Sequence, residues 1–229
     1  MLKHAHSSAL QALACSLLVV GTASGEPREF DLDADASRVH VHVKRGGLLS
    51  FMGHNHEIEA PLASGVVVVD SEDVTASSVR LAFETAALKV VDPDSPKDID
   101  EVQTKMESPD VLDVARYPGV SFHSTSVEGF EKAGVWQLEV KGMIELHGAK
   151  REIKVPLTVR LDRDSLMASG RFEIQQKDFG MTPVSIAGVV KVKNELEIEF
   201  TFSGSPSIAK GSGEPPGTPE NSAREEPTR

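Results

Sequence analysis

The feature that most constrains the fold is a strict alternation of apolar and polar residues along much of the chain. It is clearest over residues 190–202, where Val, Leu, Ile and Phe alternate with Lys, Glu and Thr. Only Asn194 interrupts the apolar face, which indicates a bend or a β-bulge at that position. A period of two is typical of a β-strand with one buried and one solvent-facing side. The pattern therefore predicts long strands, each with one apolar face to cover.

The same alternation recurs often enough to define an all-β, mainly antiparallel protein. About eight segments show it: 38–44, 58–70, 78–89, 120–129, 138–146, 153–161, 167–176 and 190–202. A turn at His147-Gly148-Ala149-Lys150 joins two of them into a predicted hairpin. Strands of this length cannot remain a flat sheet, because one apolar face would stay in water. We therefore predict an eight-stranded up-and-down β-barrel, with a β-sandwich as the alternative.

One segment, near residues 95–113, breaks the alternation and predicts a helical insertion. Ser95-Pro96 is typical of a helix start, and Ile99, Val102 and Met106 follow at helical spacing. Ser108-Pro109 ends that helix and is compatible with a short second helix through residue 112. We expect the insertion to lie over one mouth of the barrel.

The first 25 residues predict a cleaved Sec signal peptide. Lys3 precedes an apolar run over residues 9–20, and small residues follow, so we expect cleavage after Ala23 or Gly25. The run is shorter than the ~20 residues that a membrane-spanning helix needs, so we expect no stable membrane insertion. A lipoprotein signal ending at Cys15 is a weaker alternative. The expected location is periplasmic or secreted.

The other end of the chain also differs in composition. Residues 205–229 are mostly Pro, Gly, Ser, Glu and Arg, and such a segment buries too little apolar surface to offset the entropy of ordering it. We therefore predict three parts: a signal peptide over 1–25, a folded domain over 26–204 and a disordered tail over 205–229.

Composition excludes several classes of function. The chain has 24 Lys+Arg and 35 Asp+Glu, a net charge of −11, which argues against nucleic acid as a partner. Cys15 is the single cysteine, so neither an intrachain disulfide nor a cysteine-based zinc site can form. The sequence contains no nucleophile elbow, phosphate-binding glycine loop or His-Glu-x-x-His motif. We expect no enzyme activity and no cofactor.

Histidines are the main candidates for metal ligands. The sequence Gly53-His54-Asn55-His56-Glu57 places two imidazoles and a carboxylate close together, so His54 and His56 are weak metal candidates. The alternative is that this segment has a polar structural role at the rim of a pocket. The alternation predicts outward-facing positions, or a turn, for the other histidines of the folded domain: His40, His42, His123 and His147.

Three stretches together resemble the YceI-like polyisoprenoid-binding proteins. They are VLDVARYPGVSF at 111–122, GMIELHGAK at 142–150 and KDFGM at 177–181, and they occur in the order found in that family. The resemblance covers about residues 30–202. It implies a lipocalin-like barrel, exported from the cytoplasm, whose lumen holds a long isoprenoid or related lipid. It transfers no catalytic residues.

A lipid without polar groups must be bound by apolar burial, at roughly 25 cal/mol per Å². The predicted inward positions supply suitable side chains, and the lumen candidates are Val140, Phe172, Ile198, Phe200, Phe122, Phe51 and Met52. The alternative is that these residues pack against one another in a filled core. The leading function is thus an exported carrier of an apolar ligand, as a monomer or a homodimer. The alternatives are a metal-binding protein that uses the histidine loop and a stress-related scaffold without a lipid.

Overall fold

The computed structural model describes residues 26–46, 55–92, 96–186 and 190–207. The predicted signal peptide, Phe51, Met52, His54 and most of the predicted tail lie outside these ranges. Within them the chain forms twelve strands and one α-helix. In chain order these are β1 (Arg28–Leu32), β2 (Arg38–Gly46), β3 (His56–Glu59), β4 (Leu62–Val69), β5 (Ser78–Glu84), β6 (Lys89–Val90), α1 (Ile99–Glu107), β7 (Gly119–Lys132), β8 (Val135–Leu146), β9 (Ala149–Leu161), β10 (Leu166–Gln175), β11 (Ser185–Ile186) and β12 (Val190–Pro206).

The sheet closes on itself, so the fold is a barrel and the sandwich alternative is wrong. Antiparallel pairing runs β1-β4-β5-β7-β8-β9-β10-β12, and β12 pairs with β1 to complete a ring of eight strands. The closing contact joins Phe30 to Pro206 and Leu32 to Gly204. Closure leaves no free edge along this ring. It also turns the apolar face of the sheet inward, where that face is shielded from water.

Three barrel strands are interrupted and continue as a second strand. Strand β1 ends and the chain continues as β2 in the same place in the barrel. β4 pairs with β1, and β3 pairs with β2. The predicted strand 58–70 is thus divided at Ala60-Pro61, where proline has no N–H for the ladder. The predicted strand 78–89 is likewise divided by a 3₁₀ turn over Thr85–Ala87. The last strand runs four residues beyond the predicted Phe202, to Pro206.

The predicted irregularity at Asn194 is confirmed. The pairing of β12 with β2 shifts between Val192 and Leu196, which places a bulge around Asn194. Its side chain binds the turn that follows β10. The backbone N–H of Lys177 donates to Asn194 Oδ1 at 3.0 Å, and Asn194 Nδ2 donates to Gln175 Oε1 at 2.8 Å. The polar residue on an apolar face is therefore explained by local hydrogen bonding.

The predicted β8–β9 hairpin is also confirmed, but its turn is shorter than predicted, because Leu146 pairs with Ala149 and only two residues connect the strands. His147 and Gly148 have φ values of 51° and 73°, as a type I′ turn requires at both central positions. Glycine at the second position also makes room for a ring, because a Cβ there would lie 2.5 Å from Tyr117 Cε1.

Helix α1 lies at one end of the barrel, next to β6, and we call this the α1 end. A single 3₁₀ turn over Pro96–Asp98 precedes it. The helix ends at Glu107 with Ser108 as its C-cap, and turns replace the predicted second helix. The side chain of Gln103 makes the backbone hydrogen bonds that a neighbouring strand would otherwise make. Its Oε1 accepts the Val90 N–H at 2.8 Å, and its Nε2 donates to the Leu88 carbonyl at 2.9 Å. Among the described residues, no helix has the length and apolar character needed to cross a membrane.

Candidate functional site

The barrel encloses a cavity of about 1450 Å³, lined mainly by the inward side chains of the strands. Eight strands give a barrel just wide enough to be filled by side chains or to hold one ligand. In this chain, medium-sized Val, Leu and Ile residues supply most of the wall and leave the centre open. The described lumen candidates all lie on this wall: Val140, Phe172, Ile198, Phe200 and Phe122. Phe51 and Met52 fall outside the described residues, and a ligand-binding role for any of the seven stays a prediction.

Aromatic rings form one side of the cavity wall. Phe172 meets Phe200 edge to face at a centroid distance of 6.3 Å, and Phe200 stacks on Phe202 at 4.9 Å. Glycines opposite the rings make this packing possible. A Cβ on Gly170 would lie 2.7 Å from Phe200 Cζ, and one on Gly142 would lie 2.3 Å from Phe122 Cζ. Both distances are shorter than real Cβ contacts, so these glycines position two of the predicted lumen residues.

Helix α1 closes part of the cavity at its own end. Val102 and Met106, two members of the predicted apolar stripe, line the cavity, and Met106 is buried. The same helix brings polar side chains to this end, namely Asp98 at its N-cap, Asp100, Glu101 and Lys105. The cavity is therefore apolar along its length and charged at the α1 end.

A buried carboxylate at the α1 end holds one of the predicted histidines. His56 lies opposite Val43, on the inward face of β3, and lines the cavity. Its Nδ1 lies 2.6 Å from Asp92 Oδ2, and the Glu57 backbone N–H donates to Asp92 Oδ1 at 2.6 Å. The Asp92 side chain is only 2% exposed. The sequence analysis did not select Asp92, because the pairing joins residues 36 positions apart.

Arg45 is a second residue that the sequence analysis did not select. The inward positions of β2 are Val39, Val41 and Val43, and the same alternation continues to Arg45, which also lines the cavity. Continuing the period of two beyond Val43 was the signal that could have identified it. Within the described ranges, no three His, Cys, Asp or Glu side chains come together as a metal site. His54 lies outside those ranges, so His56 is the only one of the two candidate metal ligands that the structure describes.

The outward histidines of β2 belong to a charged outer surface, as predicted. His40 Nδ1 lies 2.7 Å from Glu57 Oε1, and His42 Nε2 lies 3.8 Å from Glu199 Oε2. Glu197 sits beside them. The hydrogen bond from Lys44 Nζ at 2.7 Å is the main cause of a lowered pKa for the Glu197 carboxyl; burial opposes it, and the charges of Lys44, Arg171 and His42 add to it. This cluster lies on the outer surface and does not face the cavity.

The three sequence motifs meet in space at the α1 end. The ring of Tyr117, from the first motif, lies 4.5 Å from the ring of His147, in the second. His147 Nδ1 donates to the carbonyl of Phe179, in the third motif, at 3.0 Å. Phe179 is 2% exposed. It is the last residue of a 3₁₀ turn that is capped by Gly180. The motifs therefore brace the end of the barrel, and most residues of the cavity wall lie outside them in the sequence.

Comparison with known proteins gives a consistent result. The family model of the YceI-like domain matches residues 30–203. Among solved structures, the chain resembles BcnA from Burkholderia cenocepacia with a TM-score of 0.60 and 18% identity, covering 75% of this chain and 98% of BcnA. It also resembles a polyisoprenoid-binding domain from Saccharophagus degradans implicated in plant cell wall breakdown, with a TM-score of 0.57 and 16% identity, covering 78% and 98% of the two chains. At these identities the structural matches establish a shared fold. No curated protein matches the chain significantly.

Proposed function

Because this chain belongs to the YceI-like domain family, we propose that it is an exported binding protein that holds a long apolar ligand, a polyisoprenoid or a related lipid, in its barrel. The ligand is bound without covalent chemistry, and the protein stores or carries it. The family is one of binding proteins, and a solved neighbour of the same fold is described as a polyisoprenoid-binding domain.

The cavity is the observation that carries this proposal. Pockets for drug-sized ligands usually measure about 300–1000 Å³, and the volume here, about 1450 Å³, is larger. Its wall consists mainly of aliphatic and aromatic side chains. Such a wall favours ligands that bury a long hydrocarbon chain, since affinity then grows with the apolar area removed from water, at roughly 25 cal/mol per Å².

The main competing explanation is a core filled by its own side chains. That explanation predicts native packing density, with few voids larger than a water molecule. A continuous void of this size in the described barrel does not fit it. Apolar cavities are costly to leave open, because their lining atoms lose contacts on one side, so a bound hydrocarbon chain also stabilises the barrel.

Export follows from the sequence of residues 1–25 and remains part of the proposal. The exported form is expected to begin near Ser24 or Glu26. N-terminal sequencing of protein recovered from outside the cytoplasm tests this. A chain that retains Met1, or one that carries a lipid on Cys15, contradicts it.

Native mass spectrometry of the full chain purified from its host tests the binding function. A mass excess that extracts into organic solvent as a lipid supports the proposal. A metal ion, or no adduct together with no uptake of added lipid, contradicts it.

A matched variant separates the cavity from the protein surface. Ala168 is buried on the inward face of β10 and lines the cavity. Ala168→Phe should fill part of the void and lower lipid uptake without unfolding the barrel. Ser169→Phe, on the outer face of the same strand, is the control and should leave uptake unchanged.

A further inference from the structure

We propose that the lipid carries a terminal hydroxyl group and that His56, held by Asp92, accepts a hydrogen bond from it at the α1 end of the cavity. This inference rests on the proposed function and adds the chemical class of the ligand, a long-chain or isoprenoid alcohol. It also assigns a specificity role to two residues whose pairing is not explained by apolar binding alone.

The placement of His56 is the first step. It is on the inward face of β3, two positions before the buried Ile58, and both residues line the cavity. The His56 side chain is 20% exposed, whereas the Asp92 carboxylate is 2% exposed. A polar ring is thus presented to an apolar cavity, and a carboxylate removed from water fixes its orientation.

The hydrogen bonds determine which ring nitrogen is available. A carboxylate can only accept, so the 2.6 Å contact with Asp92 Oδ2 requires that Nδ1 of His56 carries the proton. The second oxygen, Oδ1, is occupied by the Glu57 backbone N–H at 2.6 Å. In the neutral imidazole, Nε2 is then an acceptor, and no group in the described part of the chain is hydrogen-bonded to it. Nε2 is therefore open to the cavity, where a ligand hydroxyl can donate to it.

The charges at the α1 end favour a neutral polar group over an anionic one. Asp98, Asp100 and Glu101 line this end, and Asp92 lies behind His56. Among the described cavity-lining residues, Arg45 and Lys105 are the cations. Four carboxylates against two cations disfavour a phosphate or carboxylate head group, because like charges raise the cost of bringing it in. An alcohol avoids this repulsion and still offers the O–H.

The experiment compares ligands that differ only at the polar end. The delipidated full chain is titrated with geranylgeraniol, its methyl ether and geranylgeranyl phosphate. The fluorescence of Trp136 reports binding, because it is the single tryptophan and lines the cavity. The methyl ether keeps the oxygen and loses the donor. A net hydrogen bond of about 0.5–1.5 kcal/mol corresponds to a preference of roughly 2- to 12-fold for the alcohol.

His56→Phe should remove this preference while the methyl ether still binds. His123→Phe, at an exposed outward position of β7, is the matched control and should keep it. Equal affinity of the wild-type chain for alcohol and ether, an unchanged preference in His56→Phe, or tighter binding of the phosphate overturns the inference. If His56→Phe does not fold, equal affinity of the wild-type chain for alcohol and ether still overturns the inference. Failure of all three ligands to bind contradicts the proposed function itself, so the two failures are distinguishable.

Discussion

Placing a charge at Ile198 tests whether the inward face of β12 lines a cavity or packs into a core. Ile198 is 8% exposed and lies between Phe172 of β10 and Val41 of β2 in the sheet. Ile198→Asp removes a buried aliphatic side chain, which costs about 1.5–3 kcal/mol. If the position were in a dry, packed core, the unpaired carboxylate would cost several kcal/mol more, about 3–5 by comparison with broken buried ion pairs.

The two possibilities therefore differ in magnitude. In a packed core the total loss would be about 5–8 kcal/mol, comparable with the whole stability of a typical domain, about 5–15 kcal/mol. Beside a cavity of about 1450 Å³, water can reach the carboxylate, and the loss should stay near the apolar component of about 1.5–3 kcal/mol. We expect the smaller value, together with loss of lipid binding, because the charge would face the hydrocarbon chain.

Urea denaturation of the delipidated protein gives the free energy of unfolding, and native mass spectrometry gives lipid occupancy. Thr201→Asp is the control, because it introduces the same residue at an exposed, outward position of the same strand. It should change neither quantity appreciably. The cavity is refuted if Ile198→Asp unfolds the chain, if charged variants at Val140, Phe172 and Phe200 also unfold it, and if no lipid is bound to the wild type. These results together would favour a scaffold role.

Three further predictions follow from contacts outside the cavity. A chain cut after Ser207 should keep its melting temperature, whereas one cut after Gly204 should melt lower because it loses the pairs that join residues 205 and 206 to β1; equal melting would contradict this. Because the pKa of the Glu197 carboxyl is lowered, its pairing contributes stability fully at pH values above the ordinary pKa of 4.5. This contribution is lost as the pH falls through the lowered pKa. Lys44→Met should therefore flatten the acid side of a plot of urea midpoint against pH, and an unchanged slope would count against it. Gln103→Leu should lower the free energy of unfolding by about 1–3 kcal/mol for each of the two backbone groups left unsatisfied, the Val90 N–H and the Leu88 carbonyl; calorimetry measures this, and an unchanged stability would contradict the role given to Gln103.

The alternation of residues by itself determined most of the barrel. A period of two depends only on local strand geometry, so it identifies which side chains share a face without knowledge of the partner strand. Val140, Ile198 and Phe200 were therefore assigned to the inward side correctly. The hairpin turn that begins at His147 and the irregularity at Asn194 were also predicted, since turn and bulge preferences are properties of short segments, although the type I′ geometry and its two-residue length came from the structure.

Only the tertiary structure decided what the inward face encloses and what its polar end contains. Whether side chains from opposite walls meet or leave a void depends on barrel diameter and summed volumes, and neither is a pattern along the chain. The pairing of His56 with Asp92 and the use of Gln103 as a substitute strand join segments that are distant or differently structured. Periodicity carries no information about such contacts, because it assigns a residue to a face of its own element, whereas the fold selects which residue of another element lies opposite.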